Sequence, residues 1–212
     1  MTGSLPQARL DELWNFDDAS ESERRFRAEL TTVPAGSEIA AELTTQLARV
    51  LGLQDRFAEA DVLLDSVDGS SGVVLARALL ERGRLRNSAG HPDVAIGLFE
   101  EALAAASAEG NDFLTVDAAH MLAIADAERA AHWTARALQT VEETKDVRTK
   151  RWAVSLHNNL GWSLFDGGNQ GAGLAELELA ADAARDFGTP RQQQWAQEAI
   201  DEARATISKL AD

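Results

Sequence analysis

A pattern of glycine, alanine and aromatic residues returns about every 35 residues along this chain. It reads Leu79, Gly83, Ala95, Phe99 and Ala102, and again Leu160, Gly161, Leu164, Gly168, Leu177 and Ala180. An internal period of that length belongs to helix pairs stacked side by side, each unable to bury its apolar face alone. Small residues mark the register: Ala60, Ala95, Ala130 and Gly173 stand 35, 35 and 43 residues apart. The longer last interval puts an insertion at residues 144–150, expected to be a loop between repeats. The expected fold is all-α, a solenoid of antiparallel helix pairs stacked side by side.

Composition narrows the partners. The 212 residues carry 35 acidic and 20 basic side chains, a formal charge of −15. That field repels phosphate backbones and anionic lipid surfaces, so neither nucleic acid nor membrane is an expected partner. Without cysteine there is no disulfide, zinc thiolate or iron–sulfur chemistry. No apolar run approaches the length of a bilayer span. The first residues lack the basic and apolar regions of a signal peptide, which predicts a cytoplasmic protein.

Residues 1–36 read as an N-terminal helical cap or divergent half-repeat. Ser20 and Glu23 form a candidate capping box for a helix ending near Leu30, with Leu13, Trp14 and Phe16 ahead of it. Four helix pairs are expected over residues 37–188. The first has a helix capped by Ser37 and a partner carrying Phe57, Ala60, Leu64 and Val67. The second turns at Ser88 to Pro92, with Pro92 at the first helical position. The third spans Phe113 to Ala125 and Glu128 to Glu143. The fourth turns across the glycine-rich stretch 166–171. Thr189, Pro190 and Gln192 then start a capping helix over residues 189–212, and all of these parts are expected to form one domain.

The spacing of Leu79, Gly83, Gly90, Ala95, Phe99 and Ala102, repeated at His157, Gly161, Gly168, Gly173, Leu177 and Ala180, resembles the tetratricopeptide-repeat superfamily. Thr44, Ala48, Leu51, Ala60 and Leu64 follow the same pattern without the turn glycine. Residues 116–121 and 155–162 also resemble a bacterial tetratricopeptide-repeat group without a defined activity.

The resemblance implies a right-handed superhelical α–α solenoid in which the first helix of each pair lines a concave, peptide-binding face. It places there Glu42, Gln46 and Arg49 in the first pair, and Arg77, Glu81, Arg84 and Asn87 in the second. In the third it places Asp117 and His120, and in the fourth Ser155, Asn158, Asn159 and Trp162. Helical spacing independently gathers Arg77, Glu81, Arg84 and Ser88 on one face, and Asn158, Asn159 and Trp162 on another. Arginine there would fork an acidic side chain or terminal carboxylate. Asparagine would bond peptide backbone, and Trp162 would supply an apolar wall. Against this stand ordinary surface pairing of Arg77 and Arg84 with Glu81, and packing by Trp162.

Enzymatic readings are weaker. His91, His120, His132 and His157 are scattered, and no His-Glu-x-x-His motif occurs. Asp117 and His120 lack a convincing nucleophile nearby. The glycine-rich stretch 167–173 follows a helix and lacks the lysine of a phosphate loop. The expected function is therefore a non-enzymatic protein- or peptide-binding adaptor without metal or cofactor. The alternatives are a self-assembly module, with Trp14 and Phe16 as one contact, and a small-ligand sensor near His120 and Trp162.

Overall fold

The computed structural model describes residues 5–211, with side chains through residue 209. The leader reading at residues 1–4 and the last residue of the C-terminal segment lie outside them. All regular structure among the described residues is helical. The helices group into two compact units, residues 1–114 and 115–212.

The first unit holds α1 (Gln7–Leu13), α2 (Ala19–Leu30), α3 (Glu38–Gly52), α4 (Phe57–Asp65), α5 (Gly72–Ser88) and α6 (Pro92–Ala108). The expectation of a Ser20 cap is corrected: Asp18 caps α2 and accepts from the Glu21 amide at 2.9 Å. Ser37 caps α3 as expected, accepting from the Ala40 amide. Pro92 opens α6, where its missing N–H would have had no intrahelical partner.

α3 packs on α2, α4 and α5, while α5 packs on α3, α4 and α6. The short turn between α5 and α6 requires that such packed neighbours run antiparallel. Leu10, Leu13, Phe26, Leu43, Leu47 and Val50 form one buried cluster; Ala48, Leu51, Ala60, Leu64, Val74 and Leu85 belong to a second. Arg86 forks Asp61 at 2.9 and 3.0 Å, and Arg82 bridges Asp65 and Asp68, so α5 is tied to the α4 segment by charge as well as packing. Gly83 is the contact point with α6. A Cβ there would run into the Phe99 ring, so only glycine lets that fully buried ring lie against the backbone.

α7 (Asp112–Ala125) begins at the end of the first unit and continues into the second. The second unit also contains α8 (Ala130–Glu143), α9 (Val147–Lys150), α10 (Trp152–Asp166), α11 (Gln170–Phe187) and α12 (Pro190–Ala211). The loop expected at 144–150 contains a helix instead. Asp146 accepts from the amides of Arg148 and Thr149 and from the Thr149 hydroxyl, which is enough to nucleate the single turn α9. The glycine-rich stretch is a turn, as expected: Gly168 takes φ +86°, and Asn169 caps α11.

α10 and α11 approach backbone to backbone. A Cβ on Gly173 would sit 2.7 Å from the Gly161 carbonyl oxygen, and one on Gly161 would sit 2.9 Å from Leu177 Cδ2. α12 then packs on α11 through Ala196, Ala199, Ile200 and Ala203 against Leu177, Ala181 and Ala184. Thr189 and Gln192 form the reciprocal capping box that starts α12.

Buried small residues fall at one phase along the chain. Ala48, Gly83, Ala118 and Gly161 are all buried in first helices. The spacing i, i+4, i+7 gives Ala60/Leu64 on α4 with Val67 just past its end, and Ala95/Phe99/Ala102, Ala130/Thr134/Ala137 and Gly173/Leu177/Ala180 within later second helices. Only Ala130 of these is not fully buried. Thr134 takes the aromatic position in α8, while the neighbouring Trp133 indole donates to Asp126 at 2.8 Å. No helix among the described residues is long and apolar enough to cross a membrane.

Candidate functional site

On α3, α5 and α10 the small residue fixes which side chains share the polar face, whereas the same phase on α7 gives the buried Val116 and Ala119. Six residues before the small residue, two before it and one after it stand Glu42, Gln46 and Arg49 on α3, then Arg77, Glu81 and Arg84 on α5, then Ser155, Asn159 and Trp162 on α10. One helical phase, set by packing, therefore presents three different chemistries.

On α3 and α5 this face is filled by its own charges. Glu42, Gln46, Arg77 and Glu81 are all buried. Arg77 Nε lies 3.7 Å from Glu42 Oε1, Arg49 lies 3.9 Å from Glu81, and Arg84 pairs with the same glutamate. The N-terminal residues cover part of the face. The Leu5 amide donates to Glu42 at 2.9 Å, the Trp14 indole donates to Gln46 at 3.1 Å, and the Arg49 guanidinium lies over the Trp14 ring at 5.5 Å. The basic strip expected from Arg77 and Arg84 is thus interleaved with glutamate and mixed in sign. Mutual attraction offsets only part of the desolvation cost of these buried charges, since the 3.7 and 3.9 Å approaches are longer than hydrogen bonds. Asn87 is half-buried at the end of α5.

In the second unit Asp117 is buried on α7, and His120 is half-buried with its ring 5.2 Å from Trp152. His157 meets Glu176 at 2.8 Å through Nδ1.

Asn158, Asn159 and Trp162 come together in an open groove. It has a volume of about 640 Å³ and runs between α10 and α12. α10 supplies Val154, Ser155, Asn158, Asn159, Trp162 and Asp166; α12 faces them with Gln192, Trp195, Ala196, Glu198, Ala199 and Glu202. Both helices rest on α11, so the groove is the space left between two supports of a common neighbour. Trp162 serves both packing and lining: it is partly buried, edge-on to Phe165 at 5.5 Å, and packed on the α11–α12 core. Trp195 is 53% exposed and carries the Arg191 guanidinium over its ring at 4.5 Å.

Trp195, Gln192, Glu198, Glu202 and Asp166 were not among the sequence candidates. Their signal was present, since Gln192, Trp195, Ala199 and Glu202 follow the 3, 4, 3 spacing of one helical face. The α12 segment lies outside the repeat pattern that selected candidates. Among the described residues no group of three or more His, Cys, Asp or Glu side chains is placed to hold a metal.

No protein-family model matches the chain, and no curated protein matches it either. Among solved structures, BtubC (BKLC) from P. vanneervenii is similar over 97% of this chain and 93% of its own, with a TM-score of 0.62 and 16% identity. At that identity the likeness is one of fold.

Proposed function

We propose that this chain is a non-enzymatic, peptide-binding adaptor of the tetratricopeptide-repeat type, its helix pairs stacked as a right-handed solenoid. The stacking reading is supported by the recurring phase of Ala48, Gly83, Ala118 and Gly161 and by the packing of α3 on α5. The observation that carries the binding reading is the α10–α12 groove. It joins two tryptophans to the amides of Asn158, Asn159 and Gln192. Such side chains fit an extended segment: amides bond its backbone while aromatic walls take its side chains. Val154 and Asp166 stand twelve residues apart, about 18 Å along a helix, which spans about five residues of extended chain. The polar face of α3 and α5 supports this less, because its groups already bond one another.

Fluorescence anisotropy with a labelled peptide selected from a random library tests the reading. Asn159→Ala is expected to weaken capture about fivefold or more at unchanged helicity, matching the loss of one or two hydrogen bonds, while Arg84→Ala leaves it unchanged. Equal affinity for wild type and Asn159→Ala, with a loss in Arg84→Ala, would move the site to the first unit.

Self-assembly is a second reading, favoured by Phe16. Its ring is 70% exposed and stacks at 4.8 Å on the half-buried Trp14. Sedimentation at rising concentration checks it: a Phe16-dependent dimer supports assembly, and a monomer at every concentration removes it.

A further inference from the structure

The charge around the α10–α12 groove points to its ligand. Every ionisable side chain lining it is acidic: Asp166 on α10, and Glu198 and Glu202 on α12. No ion pair among the described residues involves any of the three, and all three are exposed. Glu198 accepts from the Gln194 side-chain amide at 2.8 Å. Carboxylates such as Glu23, Glu42, Asp61 and Glu81, by contrast, face arginine.

Two further features act in the same sense. Asp166 is the last residue of α10, where the helix dipole places partial negative charge on unsatisfied carbonyls. The walls are two indole rings, the aromatic faces that best attract cations, and the Trp195 ring already holds a guanidinium from Arg191. Arg191 offsets part of the acidic charge but does not line the groove.

Resting on the reading of this groove as a peptide site, we infer that its occupant is a basic segment of a partner protein. A lysine or arginine of that segment lies between Trp162 and Trp195 and is held by Glu198, Glu202 and Asp166. The guanidinium or ammonium gains charge-assisted hydrogen bonds at the carboxylates and a ring face beneath it. The flanking backbone pairs with Asn158, Asn159 and Gln192. A small free cation would leave those three amides and most of an 18 Å trough, about twelve helical residues long, without a partner. The overall charge of −15 draws such a segment in and turns acidic ones away. This reverses the ligand charge that Arg77 and Arg84 suggested from sequence.

A random dodecapeptide display library selected against the intact chain provides the test. Enriched peptides are synthesised and titrated against wild type, E198Q/E202Q, W195A and N159A, with helicity checked by circular dichroism. The result expected is enrichment of lysine or arginine, binding that weakens with added salt, and a loss of about tenfold in E198Q/E202Q. Replacing the peptide's basic residue with norleucine should cost a similar factor.

Neutral or acidic peptides that lose affinity in W195A and N159A would keep the groove and overturn the basic ligand. Basic peptides indifferent to all three variants would show attraction elsewhere on the surface and overturn both. Absence of any enriched peptide would do the same. Spermidine competing as well as the best peptide, with equal sensitivity to E198Q/E202Q, would replace the peptide by a small cation.

Discussion

Gly83 and Phe99 show how a single absent methyl group organises a helix pair. The Phe99 ring occupies the space a Cβ would need, so Gly83→Ala forces a fully buried ring off its position. Overpacking of this kind costs about 1–3 kcal/mol. Urea unfolding of Gly83→Ala is expected to show that loss. Phe99→Leu in the same chain should return part of it, since the smaller side chain vacates the clash. Additive losses would mean the two residues do not meet.

Asp126 gives a second residue-scale prediction. The Trp133 indole N–H, followed by the Arg129 guanidinium and amide, holds its carboxyl below the usual carboxylate range. A depressed folded value contributes stability above the unfolded value, and that contribution vanishes as pH falls through the folded one. Wild type should therefore exceed Asp126→Asn in stability near neutral pH, with the difference shrinking below pH ~4. Thermal melts across that range check it, and a difference independent of pH would contradict the assignment.

At the scale of elements, helix termini decided where the sequence could be read directly and where it could not. Asp18→Ala is expected to destabilise α2 by about 0.5–2 kcal/mol, whereas Ser20→Ala should have a much smaller effect; chemical denaturation of both variants separates them. Asp18 and Ser20 each have a glutamate three positions on, so spacing alone does not separate them. Only the turn at residues 15–18, where Asn15 bonds the amide of Asp17 and its carbonyl accepts from that of Asp18, makes Asp18 the entry point. α1 escaped notice because seven residues are too few to establish a period, although Leu10 and Leu13 stand three apart and are buried. α9 escaped for a similar reason, being a single turn set by Asp146 rather than by any apolar pattern. The longer helices needed no such local knowledge: Ser37, Pro92, Gly168 and the Thr189/Gln192 box each act where composition and spacing place them.

At the scale of the whole molecule, the repeat pattern announced which face of each first helix would be polar, but not whether that face would be available. Arg77 and Arg84 were visible as a stripe. Their neutralisation was not, because Glu42 lies 35 residues before Arg77 in sequence and the Leu5 and Trp14 contacts come from outside the repeats. Asn158, Asn159 and Trp162 were legible from one helix. Their counterparts Trp195, Glu198 and Glu202 were not, since the facing wall belongs to a terminal helix with no repeat partner to compare. A groove read from one wall gives its hydrogen-bonding chemistry without its charge. The molecule that results keeps its arginines occupied in the first unit and leaves a carboxylate-rimmed, tryptophan-lined trough open in the second.

Amide hydrogen exchange of the intact chain, with and without a saturating library-selected peptide, tests that assignment most directly. Protection is expected in residues 154–166 and 192–202, with the stretch 77–88 unchanged. Protection confined to 42–49 and 77–88, with α10 and α12 exchanging as in the free protein, would contradict it.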